Sequence, residues 1–567
     1  MFRMFRWLVF FFTISSFIVS AQQTEYVSPL NIPLRLSGNF CEVRPDHFHS
    51  GIDIKTNGHE GLPVFAVDKG YVSRVKVSAD GFGKVIYITH PGSKMTVYAH
   101  LHSFMGALAD TILHFQYKKK SFEVELFPDS LLFPVWKGQQ IGWSGNSGGS
   151  DAPHLHFEIR DATTEEPLNP LLNGFTIADT IKPFIQKMAV YQYNNHRFAF
   201  QNEYALNVND QENTIDTFNI DFDTVGMAFN IYDEMNDTLP STLGIYSATL
   251  LSGNDTIYHY AFDRMNFSET RNVNGYIDYL HRKFQKVSLH RCFTLPGTKF
   301  NAFRNAGKGY IVVSRGETMM LRLKVTDAND NGLTYYFYLK NTYTGGKFTG
   351  EIDTTITRFS NKEIALNWND ASILIADSSF FEDIHGKDFI RRYSMANRAV
   401  VQMEPAGLPL RKKMTIKFKP SRFYNKLLDK LVIIEIAEKG NILRSLSTTN
   451  KKGIISATTW NFGKYTFAVD TTAPVFSEPE IVTDTIFNER WLQVKVKDDR
   501  SGVKSYEGWI NEEWALFEYD RKNGILAYKL SDAEFKINLY LEATDQLGNK
   551  ARVSKAVDVM LSEPVIK

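Results

Sequence analysis

The stretch PVFAVDKGYV at residues 63–72 sets the character of the first part of the chain, because short apolar runs are separated there by glycine. The same pattern recurs at residues 85–88, 96–99 and 140–143. Short apolar runs bounded by glycine turns are typical of the strands in small β-sandwiches and barrels. We therefore predict a compact β-sandwich or barrel for residues 27–175.

Residues 103–134 interrupt this pattern and are interpreted as an insertion into the first domain. The triplet KKK at residues 118–120 precedes the alternating segment FEVEL at residues 122–126. Strict alternation of apolar and polar residues predicts a strand. We therefore expect a projecting hairpin, with the lysines in a solvated turn.

The rest of the chain is predicted to form further β-domains, since 567 residues exceed what one hydrophobic core holds. Two short segments recur: DTIKP at 179–183 resembles DTTAP at 470–474, and TDANDN at 326–331 resembles TDQLGN at 544–549. We predict immunoglobulin-like β-sandwiches at 179–345 and 470–562, with a β-rich domain at 346–468. The fold class is all-β, in agreement with an aromatic content of 14%.

Charge and the first residues bear on location. With 64 basic and 63 acidic side chains, no net charge attracts the chain to nucleic acid or to an anionic membrane, so we expect no nucleic-acid partner. Residues 1–21 resemble a signal peptide, with Arg3 and Arg6 before an apolar run that is too short to span a bilayer. We expect an exported protein, in a periplasm, cell envelope or secreted, with no membrane span after cleavage.

Only two cysteines are present, Cys41 and Cys292, far apart in the sequence. Two cysteines provide neither a disulfide framework nor a thiolate zinc site, although a single bridge between them is left open. Any metal ligands are therefore expected to be histidines and carboxylates.

The segment RPDHFHSGID at residues 44–53 concentrates such side chains. Ligands of one zinc ion lie about 3–3.5 Å apart, because each is about 2.0–2.2 Å from the metal. On a straight strand His49 and Asp53 would be about 13 Å apart, so a shared ion requires a bend between them. Gly51 is the residue that tolerates such a bend and a close approach.

The segment PHLHFEI at residues 153–159 alternates polar and apolar residues, which places His154 and His156 on one face of a strand. One of them can bind a metal while the other reaches a water molecule on it. His100 ends another predicted strand and can face the same pocket. For Glu158, two alternatives remain open: a partner that orients a histidine, or an exposed strand carboxylate.

Together, HSGID at residues 49–53, YAHL at 98–101 and HLH at 154–156 resemble the motifs of the lysostaphin-like, or LytM-type, zinc metallopeptidases, whose domain is also called the duplicated hybrid motif. The resemblance extends over residues 30–174. It implies one zinc ion on His49, Asp53 and His156, with His100 and His154 as catalytic residues. His47 is an alternative first ligand, but the spacing of the family motif selects His49.

The resemblance implies that the protein is an exported endopeptidase, which cuts peptide cross-links of peptidoglycan by attack of a zinc-activated water. His154 is then the general base, and His100 either stabilises the oxyanion or protonates the leaving amine. Two alternatives are a non-catalytic cell-wall-binding regulator or scaffold, and an exported peptidase that acts on proteins. The later β-domains are candidates for binding protein partners.

One further motif, DANDNG at residues 327–332, begins like a calcium-binding loop. Its twelfth position is Tyr338 instead of glutamate. Because the motif recurs and is flanked by strands, we interpret it as a β-turn rich in side-chain caps.

Overall fold

The computed structural model describes residues 26–559, apart from 195–196, 213–214, 238, 240, 299, 301, 303–306, 344–361 and 383–389. The predicted signal peptide, residues 1–21, lies outside this part of the chain. Strands dominate, as the all-β prediction requires. None of the helices in the described ranges is long and apolar enough to cross a membrane.

The N-terminal part of the chain forms one sheet of 11 strands, joined by a single helix among its described residues. Its main path runs β1-β2-β10-β6-β5-β4-β7, and β9 joins β3 to β6. The central strand β10 pairs with β2 on one side and with β6 on the other. The elements are β1 (Leu36–Gly38), β2 (Ile52–Lys55), β3 (Pro63–Phe65), β4 (Gly70–Val77), β5 (Lys84–His90), β6 (Lys94–Phe104), α1 (Gly106–Lys119), β7 (Val124–Leu126), β8 (Pro134–Val135), β9 (Gln140–Ser144), β10 (His154–Asp161) and β11 (Pro167–Leu168).

The prediction of a hairpin at residues 103–134 is wrong. Helix α1 occupies the first half of this segment, and only the short strand β7 matches the alternating residues. Leu108, Ile112 and Gln116 are buried at a spacing of four, which is the period of a helix face. Lys118 and Lys119 lie in its last turn, where positive charges interact favourably with the helix dipole. Lys120 follows in the left-handed conformation and ends the helix.

The second part consists of two sheets that share one core. One sheet has the order β13-β12-β15-β18 with β19 added to β15, and the other has the order β14-β21-β20-β16-β17. The elements are β12 (Phe184–Asn194), β13 (Arg197–Ala205), β14 (Ile215–Ile220), β15 (Thr224–Tyr232), β16 (Ser247–Ser252), β17 (Asp255–Ala261), α2 (Val273–Tyr276), α3 (Tyr279–Gln285), β18 (His290–Arg291), β19 (Ile311–Val312), β20 (Thr318–Thr326) and β21 (Gly332–Asn341).

Two further sheet pairs follow, and each again has a shared core. The third pair contains β22 (Ile364–Asn367), β23 (Ala371–Ile375), β24 (Ile390–Met395), β25 (Arg398–Met403), β26 (Pro409–Phe418), β27 (Leu431–Ile436), β28 (Ile442–Leu446), β29 (Thr449–Lys451), β30 (Ile454–Asn461) and β31 (Lys464–Val469). The last pair contains β32 (Val475–Phe476), β33 (Glu480–Asp484), β34 (Glu489–Lys497), β35 (Val503–Ile510), β36 (Glu513–Trp514), β37 (Glu518–Asp520), β38 (Ile525–Lys529), β39 (Lys536–Asp545) and β40 (Lys550–Asp558). These two-layer arrangements are compatible with immunoglobulin-like sandwiches.

Two of the later sheet pairs pack against the N-terminal sheet. Phe40, Cys41 and Phe48 belong to the core of the second pair, although they precede β2 in the sequence. Apolar residues of the last pair join the core of the N-terminal sheet itself. Cys41 and Cys292 are both buried and free, so they do not form the bridge that the sequence left open.

Candidate metal centre

Three side chains converge at the end of the N-terminal sheet, and their atoms are close enough to hold one metal ion. His49 Nε2 lies 3.0 Å from Asp53 Oδ1 and 3.1 Å from His156 Nδ1, and these last two atoms are 2.9 Å apart. The ladder between β2 and β10 sets Asp53 opposite His156. All three residues are buried. These are the separations expected for ligands of one zinc-sized ion.

Gly51 allows this convergence mainly because neighbouring atoms leave no room for a side chain at this position. The chain bends there, as predicted, but the residue is outside the left-handed region. A Cβ atom at this position would lie 2.3 Å from the Phe157 carbonyl oxygen and 2.8 Å from Cγ of Glu158. Any larger residue would push the His49 loop away from β10.

Hydrogen bonds on the far side of each ring determine which nitrogen faces the centre. His49 Nδ1 lies 2.8 Å from the Asn39 carbonyl oxygen, and His156 Nε2 lies 2.9 Å from Glu158 Oε1. Both contacts require an N–H donor, so a neutral ring at either position directs its lone pair inward. Two imidazole nitrogens and a carboxylate oxygen about 3 Å from each other form a donor set that fits one metal ion.

The charges around the centre also favour a positive charge at the site. Burial by itself would lower the pKa of His156, but Asp53 and Glu158 raise it to about 9. Burial opposes ionisation of Asp53, yet His49, His154 and His156 hold the pKa of that carboxyl well below its ordinary value. The carboxylates therefore stay charged, and the site favours positive charge.

Glu158 is a buried partner of the site and not an exposed strand carboxylate, which decides between the two alternatives. It is 0% exposed, and it accepts hydrogen bonds from Ser50 Oγ at 2.5 Å and from the Arg160 guanidinium. Arg160 in turn stacks on Phe267, with its guanidinium carbon 4.8 Å from the ring centroid. The chain from Arg160 through Glu158 to His156 fixes the ring orientation of that ligand.

His154 and His100 face the same centre from two strands. His154 Nδ1 is 2.8 Å from the Ala152 carbonyl oxygen, and its Nε2 is 3.4 Å from Asp53 Oδ1. His100 Nδ1 is 2.8 Å from the Ser147 carbonyl oxygen. The two ring centroids are 4.8 Å apart. In both rings Nδ1 bonds a loop carbonyl oxygen, which leaves Nε2 for other partners.

The backbone at His100 is strained. Ala99 and His100 together face one residue of β5, since the register shifts between Ile86↔Tyr98 and Lys84↔Leu101, and φ of His100 is 60°. A non-glycine residue in this region costs about 1–3 kcal/mol, and such strain is concentrated at functional sites. Burial, together with His156 and His154, lowers the pKa of His100 to about 3, so its ring is neutral.

Arg44 is a contact of the site that the sequence analysis did not identify. Its Nη2 atom donates to Asp53 Oδ2 at 2.8 Å, while Oδ1 of the same carboxylate faces the histidines. The arginine therefore orients Asp53 to offer one oxygen to a metal. Arg44 begins the segment at residues 44–53, but arginine is not a ligand type, so no motif singled it out.

A groove of about 1060 Å³ leads to the centre. The loop at residues 149–153 forms one side, and Asp237 and Leu239 from the second sheet pair form part of another. Asp237 accepts from Lys55 Nζ at 2.7 Å and pairs with Arg35 at 3.1 Å. The contribution of the second sheet pair to this groove was not predicted.

The remaining histidines near the motifs are outside the cluster. His47, the alternative ligand, is half-exposed and bonds Asp46 at 2.8 Å. Of the other four, His59 and His114 are exposed, His90 is buried and bonded to Thr96, and His102 stacks on Phe487.

The chain is similar in sequence to known metallopeptidases. Residues 47–117 match the sequence model of peptidase family M23. An uncharacterized metalloprotease of Haemophilus influenzae is 30% identical over 154 residues, which is 27% of this chain and 26% of that protein. The DD-carboxypeptidase/endopeptidase Mpg of Neisseria meningitidis serogroup B is 30% identical over 123 residues, 22% of each protein.

A solved structure is also similar to part of the chain. The catalytic domain of lysostaphin from Staphylococcus simulans is 26% identical, covers 22% of this chain and 77% of that domain, and has a TM-score of 0.17. The matched segment spans about a quarter of each curated relative named above. The family match ends before β10, so His154 and His156 are brought into the site by the geometry.

Proposed function

We propose that this chain, whose N-terminal sheet contains a peptidase family M23 domain, is an exported zinc-dependent endopeptidase that hydrolyses peptide cross-links of peptidoglycan. The observation that supports the proposal most directly is the convergence of three potential ligand atoms, from His49, Asp53 and His156, at 2.9–3.1 Å. Two nitrogens and one carboxylate oxygen form a ligand set of the catalytic type, which leaves one coordination position open.

A zinc ion on these residues supplies Lewis acidity and lowers the pKa of a water molecule toward 7. His154 is the proposed general base. Its Nδ1 donor is held by Ala152, so its Nε2 accepts a proton from a water molecule beside Asp53 Oδ1. Of the two catalytic histidines it is the more exposed, which allows the ring to approach a bound peptide.

His100 is proposed to deliver a proton to the leaving amine. Of the two alternatives from the sequence, oxyanion stabilisation requires a donor at Nε2, whereas the bond from Nδ1 to Ser147 makes Nε2 an acceptor. The proton that His100 delivers is the one that His154 takes from the attacking water, since the two ring centroids are 4.8 Å apart. Buried surroundings make the His100 ring poorly able to keep that proton, so it is suited to pass it on.

The substrate proposal rests on the relatives and on the predicted signal peptide. One relative is named as a DD-carboxypeptidase/endopeptidase, and another, from Caulobacter vibrioides, as the cell division protein DipM. The groove also suits a peptide chain, since it is lined by both charged and apolar side chains. Protein partners for the later sheet pairs stay a prediction.

The test is zinc analysis of the purified protein together with digestion of purified peptidoglycan. His156→Ala removes a ligand and is expected to lose both metal and activity. His154→Ala is expected to keep the metal and to lose a factor of about 10²–10⁴ in kcat. His114→Ala, on the exposed side of α1, is the control that leaves both unchanged.

Three outcomes would contradict the proposal in different ways. A wild-type protein that binds no zinc argues for the regulator or scaffold alternative. Zinc-loaded protein that cleaves casein but not peptidoglycan favours a peptidase acting on proteins. Cleavage that survives both substitutions rules out this centre as the active site.

A further inference from the structure

Two clusters of three aspartates lie outside the metal centre, one where the chain enters the second sheet pair and one where it enters the last. In each cluster the carboxylate oxygens lie within 4.8 Å of one another. The first cluster is Asp179, Asp233 and Asp327, and the second is Asp470, Asp498 and Asp545.

The clusters occupy equivalent positions. Their first members begin the similar segments at residues 179–183 and 470–474, and their third members lie in the similar turns that start at residues 326 and 544. The second members, Asp233 and Asp498, each follow a strand directly, β15 and β34. The first two correspondences are visible in the sequence, whereas this third one depends on where the strands end. The same three segments therefore converge in both places.

The turns account for only one member of each cluster. Asp327 Oδ1 accepts from the backbone nitrogens of Asn329 and Asn331, both at 2.8 Å. Asp545 Oδ1 accepts from the nitrogens of Leu547 and Asn549 at the same distance. The predicted capped β-turn is thus confirmed, but it does not explain why two further carboxylates lie beside it.

The second members each have one carboxylate oxygen that is buried without a hydrogen-bond partner, although Asp498 is only half-buried and its Oδ2 accepts from the backbone nitrogens of Arg500 and Gly502. Asp233 is 3% exposed, and its buried Oδ1 atom has no hydrogen-bond partner. Asp498 Oδ1 is likewise buried without a partner. Buried carboxylate oxygens are costly unless a donor or a cation satisfies them.

The charges around these two residues disfavour their ionised form when no cation is bound. Burial, then Asp327 and Asp179, raise the pKa of Asp233 to about 8. Burial raises the pKa of Asp498 as well, and so do Asp470 and Asp545. In both clusters the neighbouring charges named here are negative.

We propose that each cluster binds one Ca²⁺ ion. Each aspartate provides one carboxylate oxygen, and the second member provides the oxygen that otherwise has no partner. Oxygen-only ligands select a hard cation, whereas zinc prefers nitrogen and sulfur. Oxygens up to 4.8 Å apart can share an ion at Ca–O distances of about 2.4 Å, and calcium tolerates irregular geometry. Mg²⁺, at about 2.0–2.1 Å with strict octahedral geometry, fits less well.

An ion in the first cluster would join three segments that are distant in the sequence. Asn331 Nδ2 already bonds the Asp179 carbonyl oxygen at 3.3 Å, and Asn549 Nδ2 bonds that of Asp470 at 3.1 Å. Asp233 is four residues before Asp237, which lines the groove of the metal centre. Calcium at this position therefore stiffens the segment through which the second sheet pair contacts the groove.

The experiment uses the full chain, stripped of metal ions and reloaded with one equivalent of zinc, then dialysed against Ca²⁺. Bound calcium is measured by inductively coupled plasma mass spectrometry, and the Tm is measured by circular dichroism. We expect two calcium ions per chain, one in Asp233→Asn, one in Asp498→Asn and none in the double variant. Calcium raises the Tm of the wild type by several degrees but not that of the double variant.

Two neighbouring exposed aspartates, Asp330 and Asp499, provide matched controls. Asp330→Asn and Asp499→Asn are each expected to keep two calcium ions. Zinc content equal to that of the wild type shows that each variant is folded. No bound calcium in the wild type at millimolar Ca²⁺ overturns the proposal. Two ions in the double variant overturn it as well, because calcium is then held elsewhere.

Discussion

At the scale of single residues, the centre depends on contacts behind the ligands as much as on the ligands. Glu158 and Arg44 are the charged side chains that bond a ligand from behind, one on His156 and the other on Asp53. Each fixes which atom of its partner faces inward. Such outer contacts tune metal affinity, because they determine ring tautomer and carboxylate orientation before an ion binds.

We expect Glu158→Gln to weaken zinc binding by about 10–100-fold, because His156 loses its charged acceptor. The same change leaves the buried Arg160 guanidinium without its partner, which lowers the free energy of unfolding by about 3–5 kcal/mol. Chelator competition gives the zinc Kd, and urea denaturation gives the stability. Glu165→Gln, an exposed neighbour of Arg160, should change neither. An unchanged zinc Kd in Glu158→Gln would show that His156 is oriented by other contacts.

At the scale of elements, the segment that carries the first ligand is held by the second sheet pair. Phe48, directly before His49, is 1% exposed and stacks on Phe300 with ring centroids 4.7 Å apart. Its backbone nitrogen donates to Thr270 Oγ1 at 2.8 Å. Arg282 of α3 donates to the Val43 carbonyl oxygen at 3.0 Å. The position of His49 therefore depends on a core formed mostly by residues beyond 180.

Phe48→Ala is expected to destabilise the protein by about 3–5 kcal/mol, since it leaves a cavity among aromatic rings. Loss of this anchor should also weaken zinc binding by tenfold or more, although no ligand is changed. Phe48→Leu keeps most of the apolar contact and serves as the control. Differential scanning calorimetry and zinc titration give the two quantities. If folded Phe48→Ala binds zinc with the affinity of the wild type, the position of Phe48 does not affect the metal centre.

At the scale of the whole molecule, the last sheet pair holds the loop beside both proposed catalytic histidines. Lys522 Nζ donates to the carbonyl oxygens of Asn146 and Ser150, both at 2.6 Å. The same loop supplies the carbonyl oxygens that bond His100 and His154. Sequence positions more than 370 apart therefore cooperate at one groove.

Lys522→Ala should lower kcat by about three- to tenfold with unchanged zinc content, because the loop that orients both rings gains freedom. Stability should change by less than about 1 kcal/mol, since the lysine is exposed. Lys529→Ala removes an exposed ion pair with Glu489 in the same sheet pair and is the matched control. Peptidoglycan digestion, zinc analysis and thermal melting provide the readouts. Equal kcat in the two variants would show that the loop is rigid without Lys522.

Local sequence was sufficient for the features that depend on near neighbours in the chain. Alternating apolar residues indicated the strands, and three short motifs named the five residues, His49, Asp53, His100, His154 and His156, that the structure brings together. Spacing within a strand determines side-chain facing, and a bend at Gly51 follows from ligand geometry. The same local view failed at α1, where the buried spacing of four was not recognised beside the alternating segment that follows.

Only the tertiary structure decided the contacts that join distant segments. Arg44 on Asp53, Phe48 in the second core, Lys522 on the groove loop and Asp233 beside Asp327 carry no local signal, because each is an ordinary residue in its own segment. Their partners are chosen by how the sheets pack. The sequence by itself thus determined the β-fold and the residues proposed for the site, while packing between sheets decided how those residues are oriented and held.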